Sequence, residues 1–508
     1  MNPEPNPAPA GLSGSLEDVL AVKKAKLKEL RDRGVDCFPP RFEKTHACDQ
    51  LQAIGKPLEI GASNPAPVTC AGRLIQLRDM GKSIFATIQD GTDKVQIYFK
   101  KDALPEALFL IVKKDLHPGD FIGASGTMFK TRTGEPTVAA TSVTLLAKAL
   151  RPMPEKFHGL KDVETRYRHR HLDLISSEET RKVFRQRSII VSTVRRTLES
   201  MGFVEVETPI LLPTAGGASA RPFTTHHNAL DRDMVMRIAT ELHLKRLIIG
   251  GMDKVFELGR LFRNEGIDTK HNPEFTTVEA YQAYTDYHGM AKLFEETVWA
   301  CAQALGKESV EYNDKLISLK PPFHRVSLPE LWKEACGEPI ESVLQGISFD
   351  RKALLALANR IGVPAGEGTP SAKVFERVFD GKILPRLEGM NFVLDHPAAI
   401  TPLAKLKPGS PSIVERFECF GGGDEFANAY TELNDPEDQL ERLRQQARVK
   451  KEEKDEEADV LDNDFVEALE CGMPPTGGIG FGIDRLVMLL TGQSSIRETI
   501  LFPMLKEG

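Results

Sequence analysis

The chain has 508 residues, 41% apolar and 27% charged, with a formal net charge of −7. This ordinary globular usage excludes bulk disorder, a collagen-like repeat and a disulfide scaffold, and the length calls for roughly two or three domains. No run reaches the ~18 apolar residues of a membrane helix, and the acidic balance excludes a surface coated for nucleic acid while leaving room for local basic patches.

Residues 1–15, MNPEPNPAPAGLSGS, lack the basic and apolar regions of a signal peptide and read as a disordered, Pro-rich tail. The seven Cys (37, 48, 70, 301, 336, 419 and 471) are odd in number and include no C-x-x-C pair, which excludes a full disulfide framework and points to a reducing cytoplasm. An N-terminal helical segment, 16–60, opens with an amphipathic helix over 16–34. Leu16, Val19, Leu20, Leu27 and Leu30 mark its apolar side, and Gly34 suits its C-terminal cap. Lys23, Lys24, Lys26, Lys28, Arg31 and Arg33 crowd the remainder, as a solvated face or as one that tracks phosphates.

Residues 61–147 hold the β-rich runs PVTCAGRLIQL, SIFATIQD, KVQIYF, DFIGASGTMF and TVAATSVTLL, with a helical stretch near 103–114. Five strands with one interposed helix predict a small barrel of OB type, a fold that stacks single-stranded bases on aromatics. Residues 148–178, broken by Pro152 and Pro154 and basic after Thr165, read as a solvated linker, with contact to a polyanion as the alternative. A large C-terminal domain spans 179–508. Val183, Ile190, Val194, Leu198 and Met201 predict a helix stopped at Gly202, followed by the strand FVEVETP. Helices are expected at 286–305, 350–361 and 435–456, and the charged stretch 437–462 reads as a solvated helix and loop. His226 and His227 are adjacent with no Cys or carboxylate framework, and read as structural rather than as metal ligands.

Three segments carry the chemistry. In VFELGRLFRNEGIDTKHNPEFTTVEAY, two strand-like runs flank the loop Gly266–Asn272. Arg263 and Glu265 share one face of the first, and Phe275, Thr277, Glu279 and Tyr281 share one face of the second. An antiparallel pair would gather an arginine, two glutamates and two aromatics on one surface. In GGIGFGIDRLVMLL, Gly478, Gly480 and Gly482 alternate, which leaves one strand face bare for a flat ring, and Arg485 opens the next helix. In RFECFGGGDEFANAYTELND, Asn428, Tyr430 and Glu432 alternate onto one face. Glu418 and Glu425 flank a Gly-rich turn there, with no obvious basic partner in the sequence, and such a carboxylate pair beside a phosphate site suits Mg²⁺. Strict alternation puts Glu425 opposite Asn428, so a shared site requires a β-bulge between them.

These segments together resemble the class II aminoacyl-tRNA synthetases, specifically the bacterial-type lysyl-tRNA synthetases, over nearly the whole chain. GFVEVETPIL looks like motif 1, FRNEGIDTKHNPEFT like motif 2 and GIGFGIDRLVML like motif 3; GGASARPF, ATEL, HPAAITPLAK and NAYTELND add lysine-type detail. The resemblance implies an α+β multidomain fold: an OB-type anticodon-binding barrel, then a catalytic domain built on a mostly antiparallel sheet with flanking helices and a helical insertion at about 335–395. It also implies ATP-dependent formation of lysyl-adenylate, transfer to tRNA(Lys), a cytoplasmic homodimer joined through motif 1, and Mg²⁺, up to about three ions per subunit with ATP.

By the same resemblance, Arg263 and Arg485 are the catalytic residues. Arg263 would meet the α-phosphate and the lysine carboxylate, and Arg485 the adenine and γ-phosphate. Glu265, Lys270, His271, Phe275 and Gly482 complete the ATP set, with Phe275 stacked on adenine. Gly217 and Glu241 would take the α-amino group and Asn428 the carboxylate. Tyr281 and Glu432 would hold the ε-ammonium, with Glu279 and Tyr430 nearby. Glu418 and Glu425 would bind the metal, while Phe85, Gln96, Glu135 and Arg73, with Arg78, would read the anticodon. Three departures stand out: Lys270 replaces a frequent Arg, ATEL replaces APEL, and Tyr430 replaces a frequent Phe, so its hydroxyl needs a partner. A sister enzyme for aspartate or asparagine is the nearest rival, but an acidic substrate would need cations where Glu279 and Glu432 stand. A non-catalytic tRNA-binding paralogue would lack the arginines and the Glu418/Glu425 pair, and a protein-lysylating one would lack the barrel.

Overall fold

A computed structural model describes residues 16–153, 162–214, 216–218, 220–453 and 462–506. The Pro-rich tail, part of the expected linker and the end of the charged stretch 437–462 lie outside the described residues. The chain divides into two compact units, 1–161 and 162–508.

In the first unit, helices α1 (Leu16–Asp32) and α2 (Cys48–Gly55) precede strands β1 (Ser63–Asp79), β2 (Ser83–Gln89) and β3 (Lys94–Lys100). Helix α3 (Glu106–Lys114) and strands β4 (Phe121–Lys130) and β5 (Pro136–Ala147) complete it. The strands close into a barrel in the order β1-β2-β3-β5-β4, with alternate residues such as Ile84, Ala86 and Ile88 fully buried inside. The basic side of α1 is not simply solvated. Lys26 donates to the Lys114 carbonyl at 2.7 Å, and Arg33 pairs with Asp115 at 2.8 Å, so these cations fasten the helix to its own unit while Lys24, Lys28 and Arg31 stay exposed.

The second unit begins with α4 (Val163–Arg168), α5 (Arg170–Ser176) and α6 (Glu178–Ser200). The basic run expected to be a solvated linker is packed instead. Arg170 is buried, pairs with Asp173 at 2.6 Å and donates to the Leu501 and Arg497 carbonyls, while Arg166 holds Glu498 at 3.0 Å. A guanidinium has enough donors to close several chain ends at once. The Ser177 hydroxyl caps α6 by accepting from the Thr180 amide, and Gly202, at φ +86°, ends it.

Strands β6 (Val204–Glu205), β7 (Lys254–Phe262), β8 (Glu274–Ala283), β9 (His324–Ser327), β10 (Met390–Pro397), β11 (Ile413–Gly421), β12 (Asp424–Thr431) and β13 (Thr476–Gly482) form one sheet. Its order is β9-β10-β11-β12-β13-β8-β7-β6, antiparallel except for the parallel edge strands β9 and β6. Helices α7 (Glu241–Ile249), α8 (Tyr287–Ala304), α9 (Leu328–Cys336), α10 (Arg351–Arg360), α11 (Ser371–Val378), α12 (Pro436–Glu453), α13 (Asn463–Glu470) and α14 (Ile483–Thr491) surround it. One sheet face, with Val278, Ala280, Ala427, Ala429, Ile479 and Phe481, packs into a core with α6, α8 and α14. The intervening residues face a cavity. The start of α12 is also packed rather than solvated: Arg442 is buried, held by Asp438 at 3.0 Å and by the Ala404 carbonyl. All seven Cys are free, and Cys471 alone is exposed.

In the barrel unit, Lys148 and Asp120 form a fully buried ion pair at 2.6 Å, and Asp120 also accepts from the His117 and Ala149 amides. Asp120→Ala would strand the ammonium and should cost about 3–5 kcal/mol, read as lost hydrogen-exchange protection in β1 and β4 of the full chain. A loss within the ~1 kcal/mol typical of surface pairs would contradict this.

Candidate functional site

The cavity above the polar sheet face encloses about 860 Å³. Thr277, Glu279 and Tyr281 on β8, Asn428 and Tyr430 on β12 and Gly478, Gly480 and Gly482 on β13 form its floor; Gly217 and Glu241 line one wall. The segment after β7 supplies Arg263, Glu265, Lys270 and His271, and α14 supplies Arg485. Strand β7 ends at Phe262, so Arg263 and Glu265 sit in the loop rather than on the strand face that the spacing suggests.

Glu418 and Glu425 both reach the cavity, and so does Asn428. The required bulge is present: Cys419 faces Ala427 but Phe420 faces Glu425, which leaves Phe426 as the extra residue. The two carboxylates are not without cations. Arg416 Nη2 lies 2.5 Å from Glu418, and Arg485 lies 3.5 Å from Glu425. Sequence reading missed Arg416, although alternation on β11 puts it on one face with Glu418. Burial, then the charge of Glu418, raises the Glu425 carboxyl. Arg416 Nε also donates to Asn428 Oδ1 at 3.0 Å, which turns the Asn428 amide N–H groups elsewhere. Among the described residues no cluster of three or more metal-type ligands forms. Two carboxylates that repel each other beside the cavity fit a hard cation whose remaining ligands are phosphate and water. His226 pairs with Asp233 at 2.8 Å and forms no such cluster.

Arg263 packs over Phe275 with 5.3 Å between guanidinium carbon and ring centroid. Among the described residues it has no ion-pair partner; Nε and Nη2 reach only the Ile238 carbonyl, at 3.5 Å, a long contact that an incoming anion can replace. His271 Nδ1 is held by Asp268 at 2.9 Å, and its Nε2 lies 3.5 Å from Arg485. Lys270 is ion-paired with Asp424, which also accepts from the Tyr312 hydroxyl at 2.5 Å.

At the far end three carboxylates converge. Glu279 accepts from the Thr240 amide at the start of α7 and from the Tyr281 hydroxyl at 3.4 Å. Glu241 accepts from the Tyr430 hydroxyl at 2.6 Å, which supplies the partner that this hydroxyl needed. Glu432 is fully buried below the floor and does not itself line the cavity. A side chain at Gly478 would collide with Glu432 and the Tyr281 ring, so this glycine is required by the protein's own packing rather than by a ligand. At Gly480 and Gly482 a Cβ would find ordinary contacts, and the bare face there stays open. One cation serves two of the three: Lys245, 2.6 Å from Glu241 and 2.5 Å from Glu432, with no exposed surface. Sequence reasoning missed it, because a Glu–Lys pair four apart on a helix normally reads as a surface pair.

On the barrel, the Phe85 and Tyr98 rings lie tilted at 38° with centroids 4.8 Å apart, and Tyr98 meets Phe129 edge-on at 5.9 Å. Arg78 faces Phe85 across β1 and β2. Gln96 lies 3.0 Å from the Thr137 hydroxyl, which also contacts the Glu135 carbonyl. Arg73 stands apart from Phe85, opposite Gln89, where it donates to the Gly119 carbonyl and covers Phe121. Tyr98 and Phe129 went unnoticed, although period-two alternation puts Tyr98 on the outer face.

A family profile described as tRNA synthetases class II (D, K and N) matches residues 162–506, and one described as an OB-fold nucleic acid binding domain matches residues 68–146. The chain is 46% identical to a lysine–tRNA ligase of Dehalococcoides mccartyi over 97% of this chain and 98% of the relative. It is 47% identical to one of Pelotomaculum thermopropionicum over 98% and 96%, and 46% identical to one of Bacillus subtilis over 97% and 98%.

Burial, with the like charge of Glu241, pushes the Glu279 carboxyl up to about 7. An infrared titration should therefore show a carboxyl band that changes near neutral pH and is absent from Glu279→Gln. A Glu279 band that titrates near the ordinary ~4.3 would contradict the packing described.

Proposed function

The chain belongs to the lysine–tRNA ligase family of class II aminoacyl-tRNA synthetases, whose reaction is ATP-dependent activation of L-lysine and transfer to tRNA(Lys), and on that premise we propose which residues carry each step. The observation that carries the assignment is the convergence of Glu241, Glu279 and Glu432 beyond Arg263, with Lys245 as the one cation among them. An acidic side chain would find no free cation there, which disfavours the aspartate and asparagine readings.

The attacking lysine carboxylate is already ionised, so the first step needs no general base, only positioning and stabilisation of a crowded anionic transition state. Arg263, free of ion pairs among the described residues, receives the α-phosphate and the carboxylate edge. Asn428, whose carbonyl is taken by Arg416, offers its amide N–H to the carboxylate. Glu241 and Gly217 face the α-ammonium, while Tyr281 and, from beneath the floor beside Gly478, the buried Oε1 of Glu432 receive the ε-ammonium, with Glu279 and Tyr430 beside them. Phe275, Glu265, His271 and the open backbone at Gly482 hold the nucleotide, with Arg485 at its phosphate end and Lys270 braced by Asp424. Glu418 and Glu425 would hold Mg²⁺, which would supply charge neutralisation to the triphosphate.

On the barrel, Phe85, Gln96 and Glu135 form the anticodon face together with Tyr98 and Arg78, and Arg73 contributes a contact at the far end of β1. The chain acts as a homodimer through α6 and the strand that follows, where Ile189, Val204, Ile210 and Leu211 are exposed. No helix among the described residues is long and apolar enough to cross a membrane. The free, mostly buried thiols suit a cytoplasmic location.

Glu432→Gln keeps the shape and removes a charge. At about 3–5 kcal/mol for a broken buried pair and 1.4 kcal/mol per decade, lysine-dependent pyrophosphate exchange should fall by roughly two to four powers of ten. ATP affinity by calorimetry should be nearly unchanged; an equal loss of it, or wild-type lysine kinetics, would refute the role. Phe85→Ala should remove roughly 1–3 kcal/mol of stacking and raise KM for tRNA alone. A fall in lysine activation with tRNA kinetics intact would make Phe85 a structural residue.

A further inference from the structure

Glu432 has two oxygens with different surroundings. Oε2 lies 2.5 Å from Lys245 Nζ, whereas Oε1 is buried without a hydrogen-bond partner among the described residues, against Gly478 and Tyr281 at the cavity floor. Lys245 is anchored on every side: Glu241 Oε1 lies at 2.6 Å, and the Tyr430 and Phe465 rings each stand 5.6 Å from the ammonium. Its side chain has no exposed surface, so it is a fixed part of the pocket rather than a mobile ligand.

This arrangement sets both the charge and the valence of the site. Once ionised by the arrival of ammonium groups, Glu241, Glu279 and Glu432 bring three negative charges and Lys245 returns one, so two are matched by a ligand with two ammonium groups. The free acceptor on Glu432 is a single oxygen. An ammonium is a point charge that one oxygen can satisfy, but a guanidinium gains its strength from a planar fork that uses both oxygens of a carboxylate. Occupying Oε2 from inside therefore penalises a guanidinium while leaving an ammonium's contact intact, a discrimination built from denial rather than attraction.

We propose that Lys245 is a specificity-determining positioning residue, an internal ammonium that holds Glu432 as a one-oxygen acceptor and thereby selects lysine over arginine. The inference rests on the reading of Glu432 as the partner of the substrate ε-ammonium. The groups around the pair are Glu241 from α7, Glu279 and Tyr281 from β8, Tyr430 from β12 and, farther off, Arg263 and Arg416. Without the Lys245 charge the Glu432 carboxyl keeps a proton to higher pH, and the pH dependence of lysine use should move with it.

The test is pyrophosphate exchange with lysine and with arginine in Lys245→Gln and Lys245→Met, followed across pH, with Glu432→Gln in parallel. The proposal expects the lysine-to-arginine ratio of kcat/KM to fall at least tenfold, KM for lysine to rise, its pH profile to shift upward and KM for ATP to hold. A folded variant with wild-type discrimination and profile overturns it, as does an equal loss for both amino acids. If neither variant unfolds cooperatively like the wild type, the role of Lys245 is structural and the proposal falls. Wild-type lysine kinetics in Glu432→Gln would instead overturn the pocket reading beneath it, which separates the two failures.

Discussion

Burying carboxylates is the constraint on which this active site is built. A carboxylate taken from water loses solvation that only cations and hydrogen-bond donors restore. Here three sit at one end of one cavity, and the fold answers each differently: Glu279 with a helix-start amide, Glu241 with a tyrosine hydroxyl and Glu432 with an internal ammonium. The compensation is incomplete, since burial still drives both Glu279 and Glu432 toward their protonated forms. In the pocket proposed for lysine, that residual shortfall would drive the binding of a dication. Stability given up in the empty protein reappears as affinity for the ligand that completes the charge.

The sheet makes the arrangement possible by separating two jobs between its faces. On β8, β12 and β13 every second residue enters the apolar core under α6, α8 and α14, and the residues between them carry the chemistry. A polar group on the cavity face therefore does not loosen the core. The bulge at Phe426 is the one break in this rule, and it turns Glu425 toward the same cavity as Asn428 and Glu418. Gly478 supports the same plan from below, because only a residue without a side chain leaves room for Glu432 and Tyr281 to pack together.

Much of this was legible in the sequence. Period-two alternation put Thr277, Glu279 and Tyr281 on one surface, and the mismatch between Glu425 and Asn428 called for a bulge that is there. The five barrel strands and their interposed helix were likewise readable from local pattern. What escaped is what depends on long-range packing. Lys245 looks like a solvated charge on a helix and Arg170 like one in a linker, yet both are buried because partners far away in sequence close around them. Arg416 was legible in principle, two residues from Glu418 on one strand face. The basic side of α1 could not be read from its own residues, since the Lys114 carbonyl and Asp115 that take Lys26 and Arg33 lie at the far end of α3.

The central claim is that the pocket proposed for lysine buries more carboxyl groups than its own cation and hydrogen-bond donors can hold ionised, and that the substrate completes the charge. Burial raises the Glu279 carboxyl to about 7 and raises that of Glu432 as well, so protons are held there near neutral pH and must leave when ammonium groups arrive. Calorimetric titration of lysine in buffers of different ionisation enthalpy measures that release directly. The account predicts net proton release on lysine binding at neutral pH, decreasing as the pH is raised. Binding with no proton exchange at neutral pH, or with proton uptake, would contradict it.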